Sequence, residues 1–119
     1  MKVAEYHRRG LQHFTPTPPT HAVPLGTEAR DGVHRVAFFG QISPDGRLTS
    51  VFYTASKRCR KLLALADVAA TRLEGQPAEA YTLHPQELLD AFAEERDQQK
   101  MQARIALILQ ALNLSEDAG

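Results

Sequence analysis

Residues 33–53 of this 119-residue chain read VHRVAFFGQISPDGRLTSVFY, and this stretch carries the clearest β pattern in the sequence. Apolar residues are frequent in 33–42 and again in 48–53. Between them the residues SPDGR, 43–47, place proline, aspartate and glycine in the order that tight turns favour. Two apolar segments joined this closely predict an antiparallel hairpin.

The chain after the hairpin changes to a helical pattern. A stripe of leucine and alanine runs from Leu62 to Leu73, and Gly75 supplies a stop. Ser56 is the expected N-cap of this helix, because its hydroxyl can accept a hydrogen bond from a free amide. Two further helices are predicted, one opening at Pro85 and one over about 97–112.

The chain before the hairpin is less regular. Residues 3–14 place several apolar side chains on one helical face and predict a short N-terminal helix, with Gly10 as its weak point. Residues 15–32 begin TPTPPT and predict an extended or loop segment, because proline excludes helix and interior strand. A short edge strand near 22–25 is the only regular structure expected there. Residues 114–119 are expected to form a frayed tail.

Composition and size limit the class of protein. The 119 residues suit one core, and the element order predicts a single α+β domain over 1–119: an N-terminal helix and a small antiparallel sheet of two to three strands packed against three C-terminal helices. No apolar run approaches the roughly 18 residues of a membrane helix, and the start lacks a signal-peptide pattern. One cysteine fits a reducing cytoplasm, and 14 basic against 14 acidic residues disfavour nucleic acid as a partner.

The single cysteine, Cys59, stands in the basic run KRCRK at 57–61. With Ser56 as N-cap it would be the third residue of the helix, near free amides and the positive end of the helix dipole, which favour the thiolate. The cations expected to stabilise that thiolate are Arg58, Arg60 and Lys61. Cations at a helix start oppose the dipole at about 0.3–1 kcal/mol each, so an anion is expected nearby.

Other interpretations of these residues stay open at this point. Cys59 could be a small buried hydrophobe, as free cysteines often are, and the run 57–61 could be a solvated face. The same helix start could also bind phosphate or another anion. The five histidines show no metal-ligand spacing, and Asp31, just before the first strong strand, could hold a turn or a metal.

Several short motifs taken together match one known family. Tyr6, the residues LQHF at 11–14 and Pro16 are similar to that family's tyrosine helix, His-aromatic pair and proline. The residues DGRL at 45–48 resemble its hairpin turn, and Cys59 falls at the place of its central cysteine. Gly75 and Lys100 also match, as its helix-ending glycine and the lysine before its last ligand motif. The chain resembles the NifU/IscU-type iron–sulfur cluster assembly scaffold domain over nearly its whole length, which implies a SufE/NifU-like fold.

The ligand positions of that family are mostly lost. The family carries three cysteines with an aspartate near the first, whereas here the first position is Ala29, with Asp31 as the aspartate. The last motif of the family is lysine, any residue, histidine and cysteine. This chain has KMQA at 100–103, which keeps the lysine but lacks the histidine and the cysteine. A [2Fe–2S] cluster normally needs four ligands, and Cys59 with Asp31 would supply two. A monomer is therefore not expected to hold a stable cluster, while a homodimer would bring together two copies of each.

The resemblance implies a role in iron–sulfur cluster assembly. Cys59 would accept a persulfide sulfur from a cysteine desulfurase, or bind iron or a cluster weakly together with Asp31, as a stoichiometric carrier rather than an enzyme. The partner would be the desulfurase or another assembly protein. The alternative is a non-catalytic interaction module that kept the scaffold fold and binds an assembly partner through its basic patch.

Overall fold

In the part of the chain that the structure describes, three antiparallel strands form one sheet in the order β1–β2–β3, and four helices complete an α+β fold, as predicted. The computed structural model describes residues 1–114. Its elements are α1 (Val3–Arg9), β1 (Val23–Asp31), β2 (His34–Ile42), β3 (Leu48–Ala55), α2 (Arg60–Leu73), α3 (Pro85–Ala91) and α4 (Gln98–Ala111). Of the tail predicted to fray, only Leu114 is described, and its amide donates to the Leu109 carbonyl at 2.8 Å. Residues 115–119 lie outside the described part.

The predicted hairpin is confirmed as β2 and β3. The two strands pair from Val36 opposite Ala55 to Ile42 opposite Leu48. At the turn the Ser43 amide donates to the Arg47 carbonyl at 2.8 Å. Gly46 adopts a φ of 83°, a left-handed conformation that glycine tolerates best, so the turn residues read from the sequence have the expected role.

The edge strand expected near 22–25 is present, but the loop expected after it is wrong, because strand β1 continues from Val23 to Asp31 at the sheet edge. Leu25 pairs with Phe38 and Ala29 with Val36, so three residues of β1 bulge opposite one residue of β2. The bulge breaks the alternation that marks a strand in sequence. The edge position also explains how a strand accommodates a proline at position 24.

Gly26, inside this bulge, lies against the end of α4. Its φ is 81°, and a Cβ built on it would come within 2.0 Å of the Ala111 carbonyl oxygen. Only glycine fits this position, because any side chain would collide with backbone. The bulge thus lets β1 approach the last helix, and it fixes where α4 packs on the sheet.

Residues 13–15, which the sequence placed in the N-terminal helix or the loop after it, instead cover the outer edge of β3. Helix α1 ends at Arg9, and Gly10 follows with a φ of 94°. The Thr15 amide then donates to the Tyr53 carbonyl at 2.9 Å, and the Tyr53 amide donates to the His13 carbonyl at 3.1 Å. These bonds satisfy backbone groups that an uncovered edge strand would leave free.

The core lies between one face of the sheet and helices α2 and α4, with α3 packed on α4 and α1 on α2. Its largest fully buried side chains are Tyr53, Phe38, Phe92, Leu48, Leu62, Leu65, Leu73, Leu88, Met101, Ile105, Ile108 and Leu112. In the described residues, no helix combines the length and the apolar character needed to cross a membrane.

Asp67 is the one charged residue that is fully buried among those described, and it joins the N-terminal segment to α2. Its carboxylate accepts the Tyr6 hydroxyl at 2.6 Å, the His13 amide at 2.8 Å and the Gln12 amide at 3.1 Å. The Tyr53 hydroxyl donates to it at 3.2 Å. Burial, followed by the hydrogen bond to Asp67, raises the pKa of Tyr6, so both tyrosines stay protonated donors.

Candidate functional site: a cationic pocket around Cys59

Cys59 lies at the start of α2, but not where the sequence placed it. The helix begins at Arg60, and Cys59 is its N-cap rather than its third residue. Ser56, the expected cap, instead exchanges hydrogen bonds with Arg35: its hydroxyl accepts the Arg35 amide at 3.2 Å, and its amide donates to the Arg35 carbonyl at 3.1 Å. Since Ser56 extends the sheet pairing, the chain must turn at 57–58 before the helix can start.

The sulfur of Cys59 is hydrogen-bonded by an arginine from another helix. Its side chain makes no capping bond to the helix amides. The Arg104 Nε donates to the Cys59 Sγ at 3.3 Å, from a position on α4 that is 45 residues away in sequence. A guanidinium carries a fixed positive charge, so a permanent cation lies in hydrogen-bond contact with the sulfur. Cys59 packs partly buried against the hydrophobic core, so it is neither a fully buried small hydrophobe nor a freely exposed thiol.

The orientation of Arg104 is set by His34 at the start of β2. The Arg104 Nη2 lies 2.8 Å from the His34 Nε2. Because a guanidinium has only N–H donors, Nε2 must accept this bond, and a neutral His34 therefore carries its proton on Nδ1. That Nδ1 is buried and has no hydrogen-bond partner within residues 1–114. A protonated His34 would lose the lone pair that receives Arg104, so the pair requires the neutral imidazole.

These three side chains line an open pocket of about 480 Å³. Val3 and Ala4 of α1 form one wall. The cations that line it come from the start of α2 and from α4, and they are Arg58, Arg60, Lys61, Lys100 and Arg104. The three cations predicted to surround the thiol are thus brought to it, together with the lysine singled out at position 100. Lys57 does not line the pocket, and its Nζ lies 5.9 Å from the centre of the Phe14 ring.

The negative charge in the pocket is small by comparison. Glu95 is the only acidic residue among the described ones that line it, and its carboxylate accepts the Val3 amide at 2.6 Å. None of the five cations forms an ion pair with any acid in the described range. The pocket therefore concentrates uncompensated positive charge around the sulfur.

Asp31, predicted as a second ligand beside Cys59, does not line this pocket. It is exposed at the end of β1, where it pairs with His34 across a two-residue turn. Of the two strand partners, His34 is therefore the one that lines the pocket, where it bonds with Arg104. Within residues 1–114, no three histidine, cysteine, aspartate or glutamate side chains are grouped closely enough to hold a metal ion.

His34 and Arg104 are site residues that sequence reasoning missed. His34 begins the first strong strand of the predicted hairpin, and Arg104 lies one turn after Lys100 on the predicted last helix. That spacing places Lys100 and Arg104 on one helix face, which was a readable signal. No nearby sequence pattern connects His34 or Arg104 with Cys59. The contacts of Arg104 with the other two side chains depend on how α4 crosses the sheet.

Comparison with known proteins adds no functional assignment. No family model and no curated protein matches the chain. Among solved structures, the chain is similar to a crystal structure of a hypothetical protein, with 15% sequence identity over 93% of this chain and 79% of that chain. The TM-score of that match is 0.45, which is too low to support a conclusion about fold or function. The chemistry of the pocket around Cys59 is therefore the basis for a functional proposal.

Proposed function

We propose that the protein accepts a persulfide sulfur on Cys59 from a cysteine desulfurase, as a carrier in iron–sulfur cluster assembly. The observation that carries this proposal is the hydrogen bond from Arg104 Nε to Cys59 Sγ at 3.3 Å, in a pocket lined by four more cations. A sulfur acceptor must present an accessible thiolate, and neighbouring cations stabilise that form. Cys59 is partly exposed and opens into the pocket, so the sulfur is within reach of a donor.

The transfer itself needs no oxidant or reductant. The Cys59 thiolate attacks the outer sulfur of the donor's cysteine persulfide, and its electron pair forms the new S–S bond. The old S–S bond breaks, and its electron pair leaves on the donor cysteine as a thiolate. Cys59 then carries a persulfide, whose negative charge Arg104 and the nearby Lys61 can stabilise. The donor returns to the thiolate form, so one persulfide is exchanged for another.

An iron or cluster site fits these residues poorly. Two side chains with oxygen or nitrogen donors, His34 and Glu95, share the pocket with Cys59, and each already makes a hydrogen bond. The His34 Nε2 accepts Arg104, and the Glu95 carboxylate accepts the Val3 amide. Asp31 lies outside the pocket, and the five cations that line the pocket would repel a metal cation. We therefore propose sulfur acceptance rather than weak iron binding as the role of Cys59.

Mass spectrometry of the purified protein after incubation with a cysteine desulfurase and cysteine tests the proposal. We expect a gain of one sulfur atom per chain, located on the peptide that contains Cys59. The Cys59→Ser variant should gain none, and Arg104→Met should acquire sulfur more slowly because it lacks the guanidinium that contacts the thiolate. The Lys57→Met variant is the matched control, since it removes a charge of the same basic run that does not line the pocket.

Two results would contradict the proposal. One is the absence of sulfur on Cys59 when the desulfurase is active on another acceptor. The other is unchanged cellular function and partner binding in Cys59→Ser, which would favour the interaction module that uses only the basic patch. Equal sulfur transfer to Arg104→Met and to the Lys57→Met control would refute the role given to Arg104.

A further inference from the structure

The positive charge that lines the pocket around Cys59 exceeds what a single anionic sulfur could neutralise. Five cations line it, none of them paired with an acid in the described residues. Even if Cys59 is counted as an anion together with the carboxylate of Glu95, three of these five charges remain unbalanced. Like charges gathered around one cavity repel one another, so their convergence is unfavourable unless an anion occupies the space.

The cations that line the pocket come from two separate places, the start of α2 and α4, so the fold gathers them and the basic run at 57–61 alone does not. Lys100 and Arg104 come from α4, whereas Arg58, Arg60 and Lys61 flank the start of α2. Lys57 belongs to the same run and turns towards Phe14 instead. The first turn of α2 contains no acidic residue that would neutralise the cluster.

We infer that this pocket is a non-covalent binding site for a small polyanion, one that carries two or more phosphate or carboxylate charges. The volume of about 480 Å³ falls within the usual range for small-ligand sites and exceeds what a single inorganic oxyanion fills. Arg104 uses its Nε and Nη2 on Cys59 and His34, so its remaining N–H groups can donate to the ligand. The site shares the pocket of the proposed sulfur transfer but requires no sulfur chemistry.

Pyrophosphate is a suitable probe, because it is compact and carries several phosphate charges. We expect it to slow the alkylation of Cys59 by iodoacetamide in a saturable way at constant ionic strength. At ten times its dissociation constant the rate should fall about tenfold, because only the unoccupied fraction reacts. Pyrophosphate should also raise the melting temperature of Cys59→Ser, in which the thiol cannot contribute.

Matched charge variants test whether the pocket or the general basic surface is responsible. Lys100→Met and Lys61→Met should each weaken pyrophosphate binding about tenfold or more, as expected for one lost charge-assisted contact. Lys57→Met should change it by less than about twofold, because an exposed charge outside the site contributes little. Circular dichroism spectra should show that all three variants are folded.

Three results would overturn the inference. They are an equal effect of sodium chloride at the same ionic strength, an equal loss of binding in Lys57→Met and Lys100→Met, and no thermal shift in Cys59→Ser. The two proposals fail separately. Loss of sulfur transfer with intact pyrophosphate binding would refute the proposed function alone, and sulfur transfer without saturable pyrophosphate binding would refute this inference alone.

Discussion

Replacing Asp67 by alanine should be among the most damaging single changes to the stability of this domain. The carboxylate is fully buried and accepts the Tyr6 hydroxyl and the amides of Gln12 and His13. Alanine removes all of these acceptors at once without removing the donors. The Tyr53 hydroxyl keeps a partner, because it also donates to the Leu63 carbonyl at 3.0 Å. Three donors are therefore left without their acceptor.

The size of the effect follows from those three donors. A buried donor without a partner costs about 1–3 kcal/mol. Three of them give about 3–6 kcal/mol, allowing for partial exposure of the Tyr6 hydroxyl and for the helix propensity that alanine gains in α2. Domains of this kind are usually stable by about 5–15 kcal/mol, so the variant should lose a large part of its free energy of unfolding.

Urea unfolding followed by circular dichroism measures this loss, with Asp97→Ala as the matched control. Asp97 is an exposed N-cap that accepts the Lys100 amide at 2.9 Å, so its replacement should cost only about 1 kcal/mol. If Asp67→Ala does not fold, Tyr6→Phe tests the same network through one donor, at about 1–2 kcal/mol. A loss below about 1 kcal/mol for Asp67→Ala would refute the structural role of the carboxylate.

Three further predictions concern the bulge, the buried tyrosine and the thiol. Gly26→Ala should destabilise the protein by about 2–4 kcal/mol in urea unfolding, because of its positive φ and the collision with α4; a cost no larger than that of Gly32→Ala, at an open turn, would contradict this. Burial, with the charge of the neighbouring aspartate, raises the pKa of Tyr53 above 10, so its contribution to stability is complete below about pH 10 and declines as the pH rises further. Tyr53→Phe should therefore lessen the alkaline slope of the free energy of unfolding by about 1.4 kcal/mol per pH unit, and an unchanged slope would exclude this tyrosine. Arg104→Met should slow iodoacetamide alkylation of the cysteine at pH 7 about tenfold, His34→Leu should slow it less, and wild-type rates in both would contradict the proposed contacts.

The parts of the fold that could be predicted are those specified by neighbouring residues. The turn residues 43–47 and the apolar runs beside them predict the β2–β3 hairpin, and Asp97 marks the start of the last helix. Only the start of strand β1, expected near 22–25, could be recognised, because the bulge after Leu25 interrupts the alternation and its packing depends on α4. The start of α2 was misplaced for a similar reason: Ser56 bonds with Arg35 of the neighbouring strand instead of capping the helix.

The candidate site was likewise predictable only in the part that neighbouring residues specify. Cys59 and the cations beside it in sequence were predicted as a group, and the structure brings them to one pocket. The contact of the sulfur was not predictable, because Arg104 reaches it, and His34 reaches Arg104, only through the packing of β2 and α4 around α2. Asp31 pairs with His34 across the β1–β2 turn but is exposed at the end of the edge strand, so closeness in sequence to His34 did not place it in the pocket.

Helix α1 supplies a wall of the pocket although it has only seven residues. A helix this short is unstable by itself, so it depends on Tyr6 bonding to Asp67 and on the Val3 amide bonding to Glu95. Detaching α1 breaks these contacts, the hydrogen bond between His7 and the Arg60 carbonyl and the burial of Val3. It leaves most of the sheet and the long helices intact, so it requires less free energy than global unfolding. The amide protons of α1 should accordingly exchange with deuterium before those of α2, so one wall of the pocket belongs to the least stable helix that lines it.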